Sequence, residues 1–185
     1  MALWQLDAVV VPGLAAPEPI SFSVADDERF AVIYDAEAGL GAVLAGLVKP
    51  VSGTFSGPSV VLASTDVPLP PRETVEEYLT TSAALAGRPL AAALFAHVAA
   101  AFGLAGEKRR LGDLPLAPQR LVTLAAALVA AMPATAGNGA VVAENPGRGL
   151  SDVARAAVLT ALQAASTALG VSVLVLEPRS APEMR

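Results

Sequence analysis

Cysteine is missing from this sequence, and histidine occurs once, as His97 among alanines. The first absence excludes disulfides, thiolate metal sites and cysteine nucleophiles, and it fits a cytoplasmic protein. The second leaves His97 no partner with which to complete a zinc site, so it reads as a core or interface side chain. Cations are sparse: Lys+Arg total 12 against 17 Asp+Glu, for a net charge of −5. Nucleic acid demands clustered cations, and the one basic cluster, "EKRR" at Glu107–Arg110, reads as a solvated helix end or turn. No nucleic-acid partner is expected. A long, strongly apolar run is missing too, although 54% of residues are hydrophobic and mean hydropathy is +0.58. Alanine carries much of that value. The longest weakly polar run, Pro89 to Gly106, holds His97, a proline and glycines, and falls short of the ~20 apolar residues of a spanning helix. At most peripheral membrane association follows. The opening residues lack the basic region of a signal peptide, and none is expected.

What is present alternates between strand and helix patterns. Leu3–Val11 reads as a strand, and "ISFSV" at Ile20–Val24 as a half-exposed one. "DDE" at Asp26–Glu28 reads as a surface turn. An apolar strand at Phe30–Ile33 leads through a small-residue turn into an Ala/Leu/Val helix, which Pro50 and Gly53 stop. Ser59–Ser64 is another short strand. Thr74 and Glu77 make a capping box at the head of "TVEEYL". Helical pattern returns at Leu90–Phe102 and Gln119–Met132, with "GDLPLAPQ" as a loop between them. "TAGNG" is a turn, and "AVVAEN" a buried strand. Asp152–Leu169 is a long helix, capped by Ser151 and ended by Gly170, before the buried strand "VSVLVLEP". Such alternation argues for an α/β domain with a largely parallel sheet, with no repeat or linker.

Strand, small-residue turn and helix at Phe30–Leu47 form the layout of a phosphate-cradling loop. The charge is wrong for phosphate: the loop holds Asp35 and Glu37 and no lysine. Other strings repeat a familiar order. "ISFSVADDERFAVI", "AGLVKPVSG", "TVEEYL", "LVTLAAALVAAMP", "AVVAENPGRGLSD" and "GVSVLVLEP" follow one another between Ile20 and Pro178. Together they resemble the ATP-binding domain of ABC transporters. The resemblance implies a P-loop NTPase-like mostly parallel sheet flanked by helices. It also implies a small antiparallel β part and a short helical subdomain at about residues 74–117, within a single domain spanning 1–185.

The resemblance also places each active residue of the family, and here the match fails. The phosphate loop falls on Tyr34, Asp35, Ala36, Glu37, Ala38, Gly39, Leu40 and Gly41. Gly39 keeps the second glycine. Tyr34 replaces the first, Leu40 the lysine that reaches the phosphates, and Gly41 the hydroxyl that holds Mg²⁺. The glutamine after the Val60 strand falls near Ser64. The family signature falls on "LPLAP", Leu114–Pro118. The metal-binding aspartate falls on Glu144 and the catalytic glutamate on Asn145, which cannot act as a base. The switch histidine falls on Pro178. Asp35 and Glu37 near a triphosphate in a partly dry pocket would cost on the order of several kcal/mol. They read either as a solvated acidic turn or as caps of the helix N-terminus in place of phosphate. Glu144 reads most simply as a strand-end carboxylate.

The expectation is a non-catalytic ABC-type ATPase-like protein that binds neither ATP nor Mg²⁺. As a scaffolding or regulatory subunit, it would partner an ABC permease or ATPase subunit, or itself in a homodimer. The Ala-rich stretch Ala83–Leu104 is the candidate contact with the membrane subunit. A cytoplasmic place at the inner face of a bacterial membrane fits, and the Ala/Arg bias suggests an actinobacterium. Two alternatives stay open: a nucleotide- or anion-binding protein with altered loop chemistry, and an interaction module sharing only the α/β layout.

Overall fold

The computed structural model describes residues 2–13, 18–65, 67–132 and 139–178. Among the described residues, seven strands form two sheets. The parallel sheet joins β3 (Phe30–Ala36), β5 (Val61–Ser64), β6 (Ala140–Glu144) and β7 (Ser172–Pro178) in the order β3-β7-β6-β5. The antiparallel sheet joins β1 (Ala2–Val10), β2 (Ile20–Ala25) and β4 (Ser52–Ser56) in the order β2-β1-β4. The expected α/β class, with its mostly parallel sheet and small antiparallel part, is the observed one.

The apolar runs of β6 and β7 are buried on both faces, and the two-residue period of a strand divides them between two cores. Val141, Ala143, Val173 and Val175 face the helices α2 (Val75–Leu85), α3 (Ala92–Ala101), α4 (Leu116–Ala131) and α5 (Asp152–Leu169). Ala140, Val142, Leu174 and Leu176 face the antiparallel sheet and the short helix α1 (Leu40–Leu44). Trp4 is wholly buried in this second core. The helices of the 74–117 region pack into the same core as α4 and α5.

Capping chemistry explains two helix starts. Thr74 Oγ1 accepts from the Glu77 amide at 3.3 Å, while the Thr74 amide donates to Glu77 Oε2 at 2.8 Å. Ser151 Oγ accepts from the Ala154 amide, and Gly170 closes α5 in the left-handed region. Elsewhere the sequence reading falls short. Helix α4 begins at Leu116, inside the stretch read as a loop, because its first turn holds Pro118, and a first-turn amide has no helical partner to lose. Strand β4 lies where only a turn is read. Its Gly53 has φ +86, and a Cβ there would sit 2.3 Å from the Ala8 carbonyl oxygen. This glycine permits close backbone approach at a register shift of β1, between Asp7 and Val10. His97 is exposed on α3, which removes the core reading and leaves the interface one. The turn "TAGNG" lies outside the described residues apart from Gly139.

The basic cluster is partly neutralised. Arg109 donates to both carboxylate oxygens of Glu107, at 3.0 and 2.7 Å, and this holds the Glu107 carboxyl at about 2.

Candidate functional site

In open parallel sheets, ligands sit outside the carboxyl ends of the strands. Here the ends of β3, β6 and β7 frame a cavity of about 250 Å³, lined by Ala36, Glu37, Gly39, Glu144, Asn145 and Arg148 among others. Strand β3 runs on through Ala36, so Tyr34, Asp35 and Ala36 are strand residues rather than loop. Tyr34 and Asp35 are exposed, and Asp35 takes φ 57. Ala36 is buried. Glu37, Ala38 and Gly39 make the turn, and Gly39, at φ 86, is the N-cap of α1.

The occupant of the helix N-terminus corrects one expectation. Neither Asp35 nor Glu37 caps α1: its N-cap makes no side-chain hydrogen bond, and its first turn holds no acidic residue. Glu144 supplies the carboxylate instead. Its Oε1 accepts from the Gly41 amide at 3.0 Å. Strand parity makes this possible. Residues 140, 142 and 144 of β6 share the face that packs on α1, so the last of them points at the head of that helix. Glycine at position 41 is required by the contact, since a Cβ there would lie 2.4 Å from Glu144 Oε1. Leu40 is wholly buried in the core. Positions 40 and 41 carry neither a lysine nor a hydroxyl.

The end of β6 is pinned from several sides. The Asn145 amide donates to the Leu176 carbonyl at 2.8 Å, and Asn145 takes φ 45. The Thr65 hydroxyl donates to the carbonyls of Asn145 and Glu144, at 3.2 and 3.4 Å. Arg120 from α4 donates to the Thr65 carbonyl and, at 3.3 Å, to the Arg148 carbonyl. The structure thus brings together Glu37, Gly39, Gly41, Glu144 and Asn145, and leaves Tyr34 and Asp35 outward. Sequence reasoning missed Thr65, Arg120 and Arg148, whose roles run through backbone carbonyls distant in sequence. The serine next to Thr65, Ser64, pairs with Glu144 in the sheet register.

A second carboxylate lies behind the site. Glu177, at the end of β7, is 2% exposed and pairs with Arg155 of α5 at 2.9 Å. Its Oε1 has no hydrogen-bond partner among the described residues. Burial pushes its carboxyl above the ordinary value of 4.5, against the pull of Arg155. A raised folded-state value means that stability is lost as pH rises from the unfolded carboxyl's value through the folded one. Glu177→Gln is therefore expected to melt higher than the parent at about pH 7, with the gain disappearing at about pH 3.5. Thermal melts of both proteins at the two pH values check this. A charge inside the apolar run "VSVLVLEP" was the available sequence signal.

Comparisons with known proteins agree with this architecture. The sequence matches no family model, and no curated protein matches it. Solved structures do match in shape. A Pyrococcus furiosus protein assigned as an ABC transporter ATP-binding protein superposes with TM-score 0.72 at 18% identity, over 97% of this chain and 93% of its own. The ADP conformation of an ATP-binding cassette of an ABC transporter gives 0.73 at 17% identity, over 98% and 83%. An ATP-binding subunit of an ABC transporter gives 0.63 at 19%, over 95% and 79%. The chain therefore has the P-loop α/β fold of ABC transporter ATP-binding domains.

Proposed function

We propose that this protein is a non-catalytic relative of ABC ATP-binding domains, acting as a scaffolding or regulatory subunit linked to an ABC transporter. The observation that carries this reading is the Glu144–Gly41 hydrogen bond at the head of α1. A nucleotide phosphate placed there would meet a carboxylate, with Leu40 where a lysine is needed and Gly41 where a magnesium-holding hydroxyl is needed. Asn145 offers an amide at the place of a general base. The residues do not fit MgATP, so no hydrolytic step is assigned to them. Among the described residues no helix is long and apolar enough to cross a membrane. A place at the inner face of the membrane, against a permease or an active ATPase subunit, follows from this reading. The small, exposed side chains of α3, Ala93, Ala96 and Ala100, offer a contact surface within the Ala83–Leu104 stretch.

Thermal melts with MgATP test the nucleotide half of the proposal. A ligand at 100 times its Kd stabilises by about 2.7 kcal/mol, which for a chain of this size raises Tm by roughly 5–10 °C. No shift is expected with millimolar MgATP. A rise of that size with MgATP, and none with Mg²⁺ alone, overturns it. Inorganic phosphate, as a further arm, tests the alternative that the helix end at Gly39, beside the cavity, holds a smaller anion. For the transporter half, a tagged chain is expected to co-purify a polytopic membrane protein encoded beside it. Recovery of the chain alone from detergent extracts counts against that link.

A further inference from the structure

Another cavity lies away from the phosphate-loop end and has a different chemistry. It holds about 380 Å³, within the usual range for small-molecule sites. Its walls come from four helices and the segment joining α2 to α3: Ala83 on α2, Leu90 in the joining segment, Leu94 on α3, Val129 with Met132 at the end of α4, and Leu169 at the end of α5. Helices α4 and α5 each precede a parallel strand, so their ends mark the amino edge of the sheet. Glu144 lies at the carboxyl edge. The two sites are therefore separate.

The walls are apolar, and among the described residues the one charged side chain lining them is Arg88. Its position is built by the backbone. Gly87, at φ +73, ends α2 in a Schellman motif: the Gly87 amide donates to the Ala84 carbonyl at 2.9 Å, and the Arg88 amide to the Ala83 carbonyl at 2.8 Å. Arg88 is half-buried, and among the described residues its guanidinium has no hydrogen-bond or ion-pair partner. Among the described residues, no acidic side chain lines the cavity. A guanidinium at an apolar wall is matched by a carboxylate, which it can grip with two parallel hydrogen bonds, attached to an apolar body that displaces water from the rest.

We infer that this cavity binds a small amphipathic carboxylate of the medium-chain fatty-acid class, with Arg88 holding the head group and the helix ends enclosing the chain. This assignment stands apart from the proposed transporter link and survives its failure.

Isothermal titration of the full chain with decanoate, the matching ten-carbon alcohol and the matching amine, all below their micellar concentrations, tests it. Saturable one-to-one binding of decanoate is expected, with the alcohol at least tenfold weaker and the amine weaker still. Arg88→Gln is expected to weaken decanoate at least tenfold and leave the alcohol unchanged. Leu94→Trp, which fills the cavity, is expected to weaken both; if it fails to fold, the Arg88→Gln comparison decides alone. Absence of saturable decanoate binding overturns the inference, as does equal affinity in Arg88→Gln. Binding of a leucine-rich peptide with a free C-terminus in place of decanoate also overturns it, in favour of a protein partner.

Discussion

Gly41→Ala is expected to destabilise the protein by about 2 kcal/mol, and Glu144→Ala to remove much of that penalty. The added methyl lands 2.4 Å from Glu144 Oε1, so the carboxylate must swing away. Its side chain is flexible, and the steric cost alone is small. The larger cost is the charge-assisted bond to the Gly41 amide, worth roughly 1.5–3 kcal/mol. Better helix propensity for alanine offsets about 0.5–1 kcal/mol of this. In Gly41→Ala/Glu144→Ala the methyl occupies space the carboxylate has left. The double variant is therefore expected to lose less than the sum of the single losses, by about 1 kcal/mol or more. Urea unfolding of the four proteins measures the cycle. Additive losses would show that the carboxylate and the amide act independently, and the internal occupation of the loop would lose its support.

Trp4→Ala is expected to cost about 3–5 kcal/mol, the range for emptying a large aromatic site in a core. Trp4 is fully buried where the antiparallel sheet packs over Leu174 and Leu176. A Cβ at Gly57 would come within 2.8 Å of its Cδ1, which shows how closely the backbone follows the ring. Its Nε1 has no hydrogen-bond partner among the described residues. Trp4→Phe removes that orphan donor while keeping an aromatic ring, so its loss is expected to be well under half that of Trp4→Ala. Chemical denaturation followed by circular dichroism compares the three proteins, because Trp4 is the sole tryptophan and its fluorescence disappears with it. A loss under 1 kcal/mol for Trp4→Ala would mean that the antiparallel sheet contributes little to the shared core.

Strong periodic segments were legible in the sequence. The double-faced apolar runs at Ala140–Glu144 and Ser172–Pro178, the capping box at Thr74 and Glu77, and the long helix between Ser151 and Gly170 each have a local cause. Residues close in sequence hold the information, and the fold class follows from their alternation. Weak or proline-bearing segments were not legible. Strand β4 has one apolar residue, Phe55, and exists through its pairing with β1. The start of α4 is concealed by prolines that cost little in a first turn.

The candidate site divides along the same line. Sequence alone determined that the stretch Tyr34–Gly41 carries two carboxylates and no lysine. It pointed to an acidic occupant of the helix head, and it named the nearest carboxylates, Asp35 and Glu37. Only the tertiary structure decided that Glu144 is the occupant. Asp35 lies on the exposed end of β3, whereas strand alternation and the packing of β6 on α1 carry Glu144 across 103 residues of chain to the Gly41 amide. Residue types fix which charges are available, but hydrogen bonds between distant segments depend on which strand faces which helix, and that is set by how the two cores close.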